Sequence, residues 1–343
     1  MALSTGTDEI VSGAEGPDEK SEEAPSSKNL AGRSPTQIAL ERLRKDKVAL
    51  VCSAILLVLV LLAVFAPLIC DWLNIYVDYS NPDAPRPSEV LGPDNYPIIG
   101  PPDHGFIWSH PLGIEPRTGY DNLAYILYGL RTSLMVAVLA TAFSTVVGVT
   151  LGLIAGYARG WVDSALSFFI DFFLSFPFIL GALALAPIIT QRFGGSSDSL
   201  ARAQLLSIVG VLVFFGWMGL ARLIRGQVLS LREREFVQAA QVIGVPTRQV
   251  LFKELLPNLV APIVVAVSLS LPGYVAAEAG LSYLGIGLTE SPSLGRMVNN
   301  ATNYFENYPL YLWSPVIVIM IMVIALNLVG DSIRDAFDPK TRR

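Results

Sequence analysis

Six long apolar runs divide the chain, at approximately Val48–Cys70, Ser133–Tyr157, Ala165–Thr190, Leu205–Ile224, Val260–Ala277 and Leu312–Gly330. Each is close to the ~20 residues that a helix needs to cross a bilayer. The pattern predicts an all-α, polytopic membrane protein with six transmembrane helices. Pro177, inside the third run, is expected to weaken the local backbone bonding and permit a kink there. Between the fourth and fifth runs lies a different periodicity. In the segment Glu235–Asn258, EFVQAAQVIGVPTRQVLFKELLPN, the residues Phe236, Ala239, Ala240 and Ile243 recur at i, i+3, i+4 and i+7. They therefore share one helix face. Gly244 follows where helices end in a left-handed residue, Pro246 restarts the chain, and Pro257 is expected to stop a second short helix. A small-residue face on a helical hairpin held between spans looks built to enter a groove on another protein.

Composition agrees with a bilayer setting. The chain of 343 residues is 52% hydrophobic and 15% charged, against about 25% charged in soluble domains. Basic residues then give an orientation. Arg42, Arg44, Lys45 and Lys47 precede the first run, and the same side receives Arg159, Arg222, Arg225, Arg232, Arg234, Arg248, Lys253 and Arg334. The bias places both termini and the Glu235–Asn258 hairpin in the cytoplasm. Residues 1–40 read as a disordered acidic leader, since seven of the 29 acidic residues fall within Asp8–Glu23 and the segment lacks a signal peptide's apolar core. Residues 41–70 form the first span with its lead-in, and 71–131 an outer segment that ends in an interfacial helix. In that helix Leu123, Ile126, Leu127 and Leu130 share a face. Residues 132–330 form a five-helix core that includes the loop 232–258, and 331–343 a cytoplasmic tail. The outer segment reads either as a cap on the mouth or as a plain connection.

Few residues carry candidate chemistry. Asp171 lies inside the third run, where an ionisable group marks a functional site by default. It is weighed against a carboxylate that only locks helix packing, because a lone acid makes a poor proton relay. Asp163 and Glu278 lie near span ends and read as solvated. Gly148, Gly152, Gly156 and Gly160 recur every fourth residue, a stripe that lets a neighbouring helix approach closely. Cys52 and Cys70 stand eighteen residues apart on one run, about 27 Å along a helix, beyond disulfide reach. Both read as packing residues. His104 and His110 are the only histidines, too few for a transition-metal site. There is no GxxxxGK[ST] loop, no GxSxG elbow and no HExxH helix, so this chain has no phosphate cradle of the P-loop kind. Any ATPase that drives it is another subunit.

The hairpin resembles the EAA-x(3)-G loop of ABC importer permeases. Here it reads Gln238-Ala239-Ala240-x-x-x-Gly244, with Leu256-Pro257-Asn258 completing the longer pattern. HPLG at His110–Gly113, YGLRTSL at Tyr128–Leu134, AGYARGWVD at Ala155–Asp163 and D-x(4)-FP at Asp171, Phe176 and Pro177 extend the likeness. EAGLSYLGIGL at Glu278–Leu288 and GDSIRDAFDP at Gly330–Pro339 complete it. In this order they are similar to the C-type inner-membrane subunit of dipeptide and oligopeptide permeases, over most of His110–Pro339. The resemblance implies a type I ABC importer permease fold with cytoplasmic coupling helices, a chain that catalyses nothing itself, and half of a translocation pore in the cell membrane. A homologous second permease, two ATP-binding cassette ATPases that carry ATP and magnesium, and an extracellular substrate-binding protein are its implied partners, with no nucleic acid involved. It implies that Gln238, Ala239, Ala240 and Gly244 form the ATPase contact, with Glu235, Arg248, Lys253 and Pro257 around them. Asp171, Pro177 and Glu278 are left as either gate or packing. Gln238 stands where the family's first Glu is usual. Related importers carry nickel, glutathione or sugar derivatives, and these stay open as substrates beside peptides. An ion-coupled secondary transporter is the rival from another class; it calls for inverted repeats and midplane polar groups.

Overall fold

The computed structural model describes residues 35–77, 87–101, 103–193, 197–288 and 291–338. Most of the acidic leader lies outside them. The leader's expected end at residue 40 is corrected, because a helix α1 already begins at Pro35 and runs to Lys45. Asp46 then caps α2 (Lys47–Val64), its carboxylate accepting the Val48 N–H at 2.9 Å. The first apolar run is two helices rather than one. The break falls at Phe65, just before α3 (Ala66–Leu73), where Pro67 in the first turn has no N–H to continue the ladder; α3 ends on Asn74 in the left-handed region. Cys52 and Cys70 are both free and buried.

Beyond a short turn α4 (Pro87–Val90), residues 87–121 form a compact irregular unit without a strand among the described residues. Three isolated β-bridges, Leu91 with Pro97, Ile107 with His110 and Ile114 with Asp121, hold it. Val90, Leu91 and Ile114 make its small core. Asp121 then caps α5 (Asn122–Tyr157), a single helix of 36 residues. This corrects the expected interfacial helix. Leu127, Leu130 and Ile126 are buried, and the expected boundary at 131/132 falls inside α5. No proline or glycine pair interrupts 121–134, so the helix propagates from its Asp cap straight into the span.

The third apolar run departs most from expectation. It forms α6 (Trp161–Leu174) and α7 (Phe178–Phe193), bent by 89° across 175–177. Pro177 cannot donate to the ladder, and the Ser175 hydroxyl donates to the Asp171 carbonyl at 2.8 Å. The result is a broken span, not a kinked one. α8 (Ser197–Leu231) follows with 35 residues. α9 (Glu235–Val242), α10 (Thr247–Gln249) and α11 (Leu256–Asn258) make the hairpin. α12 (Val260–Tyr283), the short α13 (Leu294–Ala301) and α14 (Pro309–Phe337) complete the chain. Among the described residues five helices are long and apolar enough to cross a membrane, and a sixth crossing is added if the bent pair α6–α7 counts as one span.

The bundle is organised around the parallel pair α5 and α8. The glycine stripe makes this contact, which answers whether its neighbour lies in the same chain. A Cβ on Gly148, Gly152 or Gly156 would lie 2.8 Å from the Trp217 carbonyl, 2.7 Å from the Ala221 carbonyl and 2.6 Å from Val228 Cβ. Gly160 is not part of it. Its Cβ would meet open space, and its φ of +69° instead turns the chain from α5 into α6. At the end of the bundle that carries the hairpin, the segment around α1 is clasped to the end of α14. The Ser332 hydroxyl donates to Asp46 Oδ2 at 2.7 Å, and Arg42 donates to the Ala336 and Asp338 carbonyls, both at 3.3 Å. Hydrogen bonds from Ser332 and the Ala49 N–H hold the Asp46 carboxyl below its ordinary pKa.

The opposite end is fixed by a polar cluster. Asn122 donates to the Leu112 carbonyl at 3.0 Å and to the Tyr308 hydroxyl at 2.9 Å, and Tyr308 donates to Leu112 in turn. Burial pushes the Tyr308 pKa up, so its hydroxyl stays a donor. Glu115 is buried and receives hydrogen bonds from Tyr311 and Asn300. Ile114 beside it is fully buried.

Candidate functional site

The hairpin is built from its glycine outward. α9 ends at Ile243, and Gly244 takes φ +82°. The Gly244 N–H bonds to the Gln241 carbonyl and the Val245 N–H to the Ala240 carbonyl, both at 3.0 Å. These two bonds are the Schellman pattern, which satisfies the last carbonyls of a helix and reverses the chain. Val245 and Ala240 also meet in one apolar cluster, the contact that accompanies this motif. No atom lies within 4 Å of where a Gly244 Cβ would project. Glycine is needed there for its backbone conformation alone.

Pro257 does not end the second helix as expected. After α10 the chain widens into a π-turn over Val250–Leu255 and re-enters α-helix at α11, with Pro257 in its first turn. The Leu256 N–H reaches back to the Leu251 carbonyl. The wider turn relieves the clash between the proline ring and the preceding turn, and Pro257 falls where its missing N–H costs nothing. The chain then passes through Leu259 into α12, so the second arm leads directly into a span.

Val237, Ala240, Val250, Leu255 and Leu259 are buried with Leu153, Ile224 and Val228 of α5 and α8. Arg232 donates to the carbonyls of Gly156 and Ala158 at 3.1 and 3.4 Å, and so pins the hairpin's root to the end of α5. The hairpin is thereby one rigid piece with α5, α8 and α12. Its opposite face is open. Val242 is 88% and Ile243 80% exposed, and Phe236 and Phe252 are also exposed.

The predicted residues divide accordingly. Glu235, Gln238, Ala239, Gly244, Arg248, Lys253 and Pro257 are exposed. Ala240 is not; it is 9% exposed and packs inward. The i, i+3, i+4 stripe therefore splits, with Ala240 joining Val237 inside while Phe236, Ala239 and Ile243 face out. Gln238 spends its amide on the Glu233 carbonyl at 3.3 Å. Val242 and Phe252 were not singled out from the sequence. Their signal was available, since both are large apolar residues in a segment too short to bury them.

Asp171, Pro177 and Glu278 lie apart from the hairpin face. Asp171 pairs with Arg222 of α8, both side chains more than half exposed. Asp163 pairs with Arg225 at 2.8 Å and accepts from Ser167, so it is an ion-paired residue rather than a freely solvated one. Glu278 is corrected outright: it is 0% exposed. Ser133 donates to its Oε2 at 2.6 Å, and Ser282 and Ser293 donate to Oε1 at 2.8 and 2.9 Å. The sequence contains this signal in serine at i+4 of Glu278 and in the run SPS, but the distant Ser133 gives no local clue. The cluster joins α5, α12 and the lead into α13. Asp171 is thus not the only internal acid.

Comparison with known proteins follows this geometry. Residues 148–343 match the family of binding-protein-dependent transport system inner membrane components. Residues 34–85 match the N-terminal transmembrane domain of oligopeptide transport permease C. The dipeptide transport system permease protein DppC of Alkalihalophilus pseudofirmus is 33% identical over 90% of this chain and 91% of its own. The oligopeptide transport system permease protein OppC is 31% identical in Bacillus subtilis, over 89% and 90%. In Escherichia coli K12 it is 32% identical, over 91% and 94%. A chain of the MetNI methionine ABC transporter in inward-facing conformations superposes with a TM-score of 0.50 at 20% identity, covering 62% of this chain and 96% of that one. That likeness concerns the fold. The chain is a multi-pass membrane protein that belongs to the family of binding-protein-dependent transport system inner membrane components, among the dipeptide and oligopeptide permeases.

Proposed function

We propose that this chain forms half of the pore of an ATP-driven importer of di- or oligopeptides, and that the 235–258 hairpin is its coupling element. A second, homologous permease supplies the other half. Two ATPases bind the hairpins from the cytoplasm, where both termini also lie, and a binding protein delivers the solute outside. ATP and magnesium act on the ATPases, and this chain performs no covalent chemistry. Its part is mechanical. The open face of Phe236, Ala239, Val242, Ile243 and Phe252 enters a groove on the ATPase, with Arg248 and Lys253 tuning recognition at the rim. Because Val237, Ala240 and Leu255 lock the hairpin to α5, α8 and α12, a push on it displaces those helices together. The break at Pro177 and the proline at position 272 within α12 are the points where the bundle re-packs.

The observation that carries this reading is the rigid hairpin with an unburied apolar face, which has no use in a permease without a motor. Gly244→Val tests it. Forcing a β-branched residue to φ near +80° costs about 1–2 kcal/mol and reshapes the tip without touching the spans. Membrane insertion stays normal, while copurification of the ATPases and uptake are lost. Normal copurification and uptake in that variant would overturn the proposal.

A further inference from the structure

A cavity of about 520 Å³ lies among α5, α8, α12 and α14. It runs along α12 from Pro262 to Tyr274, about 18 Å of helix. Its walls are mostly apolar, but its two ends are not. At the mouth nearest the hairpin stands Arg334 of α14, exposed. At the deep end are Thr141, Ser144, Ser270 and Tyr274. Ser144 is 3% exposed and meets no polar group beyond the neighbouring Tyr274 hydroxyl. A buried pair of hydroxyls that lines a cavity of this size keeps donor and acceptor capacity for a solute. Beyond this end a second cavity of about 290 Å³ shares Gly216, Ser270 and Tyr274 with the first. The Tyr274 ring, packed against Gly216 with no room for a Cβ, divides the two.

We propose that this cleft is a solute subsite inside the permease, for an extended chain with an anionic end toward Arg334 and amide groups toward Ser144 and Tyr274. This rests on the peptide-importer reading and names the chemistry it selects: a short peptide with a free carboxylate. An extended chain of about five residues spans 18 Å. A single acyl chain with a phosphate head would also reach Arg334, but its tail would press hydrocarbon against the Ser144 and Tyr274 hydroxyls; those of Thr141 and Ser270 already donate to the Ala137 and Val267 carbonyls. The polar deep end therefore favours the peptide. Tyr274 closes the subsite toward the second cavity, so a solute passes only when the ring leaves Gly216.

The test uses the whole transporter, with both permeases, ATPases and binding protein, in liposomes. Thr145→Cys, in a background carrying Cys52→Ser and Cys70→Ser, places a thiol on the cleft wall for labelling with an anionic methanethiosulfonate. An alanine-rich pentapeptide with a free carboxylate is expected to protect the thiol about tenfold better than its C-terminal amide. Arg334→Gln, made in the same background, removes that preference without removing labelling. Unreactive thiol, equal protection by acid and amide, an unchanged preference in the Arg334 variant, or protection by phosphatidylglycerol liposomes without peptide would each overturn the subsite. Each of these leaves ATP-driven peptide uptake by the wild type intact. Loss of that uptake itself would instead overturn the importer reading, and the subsite with it.

Discussion

Glu278 shows how much one side chain ties together. Its two oxygens take three serine hydroxyls from α5, α12 and the lead into α13. Removing the acceptor leaves all three donors buried, so Glu278→Leu is expected to destabilise by about 3–5 kcal/mol. Glu278→Gln keeps one oxygen for Ser282 and Ser293, and its amide can donate to Ser133. That loss should be about 1 kcal/mol. Thermal unfolding of the purified complex in detergent separates the two; equal losses would contradict the network. Asp171→Asn should do far less, since its pair with Arg222 is open to solvent and such pairs contribute ~0–1 kcal/mol. Asp46 adds a pH dependence. Its folded pKa is depressed, so its contribution is present above the unfolded value of 3.8 and is lost as pH falls through the lower folded value. The gap in melting temperature between wild type and Asp46→Asn should therefore be open at neutral pH and close in acid. A gap that widens in acid would contradict the assignment.

At the scale of elements, the apolar runs gave the crossings and the glycine spacing gave a close helix contact, because both depend on local period alone. The same logic read the Schellman turn at Gly244 correctly. Pro177 predicted a kink, but the size of the 89° bend was not legible; the split of the first run falls just before Pro67, a local signal that the apolar run hid. That logic failed where a distant partner decides. Ala240 turned inward because α5 and α8 supplied a cluster for it, which no local stripe reveals. Ser133 lies 145 residues from Glu278, so the acid read as solvated. The α5–α8 contact gives a sharp contrast. Gly152→Ala places a Cβ 2.7 Å from the Ala221 carbonyl and should cost about 1–3 kcal/mol through forced separation. Gly160→Ala meets only open space and should cost about 1–2 kcal/mol from its positive φ alone. Thermal unfolding in detergent should place Gly152→Ala below Gly160→Ala; the reverse order would contradict the close contact.

The whole molecule is a bundle in which three spans pack at one end against a hairpin with an exposed apolar face. Helices α5, α8 and α12 share a core with the hairpin, and the clasp of Asp46 with Ser332 holds the start of α2 and the end of α14 beside them. Force applied at Ile243 reaches three spans without passing through a loose loop. The central claim is that this force comes from an ATPase gripping the hairpin tip. Ile243→Cys, in a background without Cys52 and Cys70, should form a disulfide under mild oxidation with a cysteine placed in the ATPase groove. Transport should stop on oxidation and return on reduction. Full transport with Ile243→Cys left reactive to bulky thiol reagents throughout the ATP cycle, and no cross-link in any nucleotide state, would contradict the account.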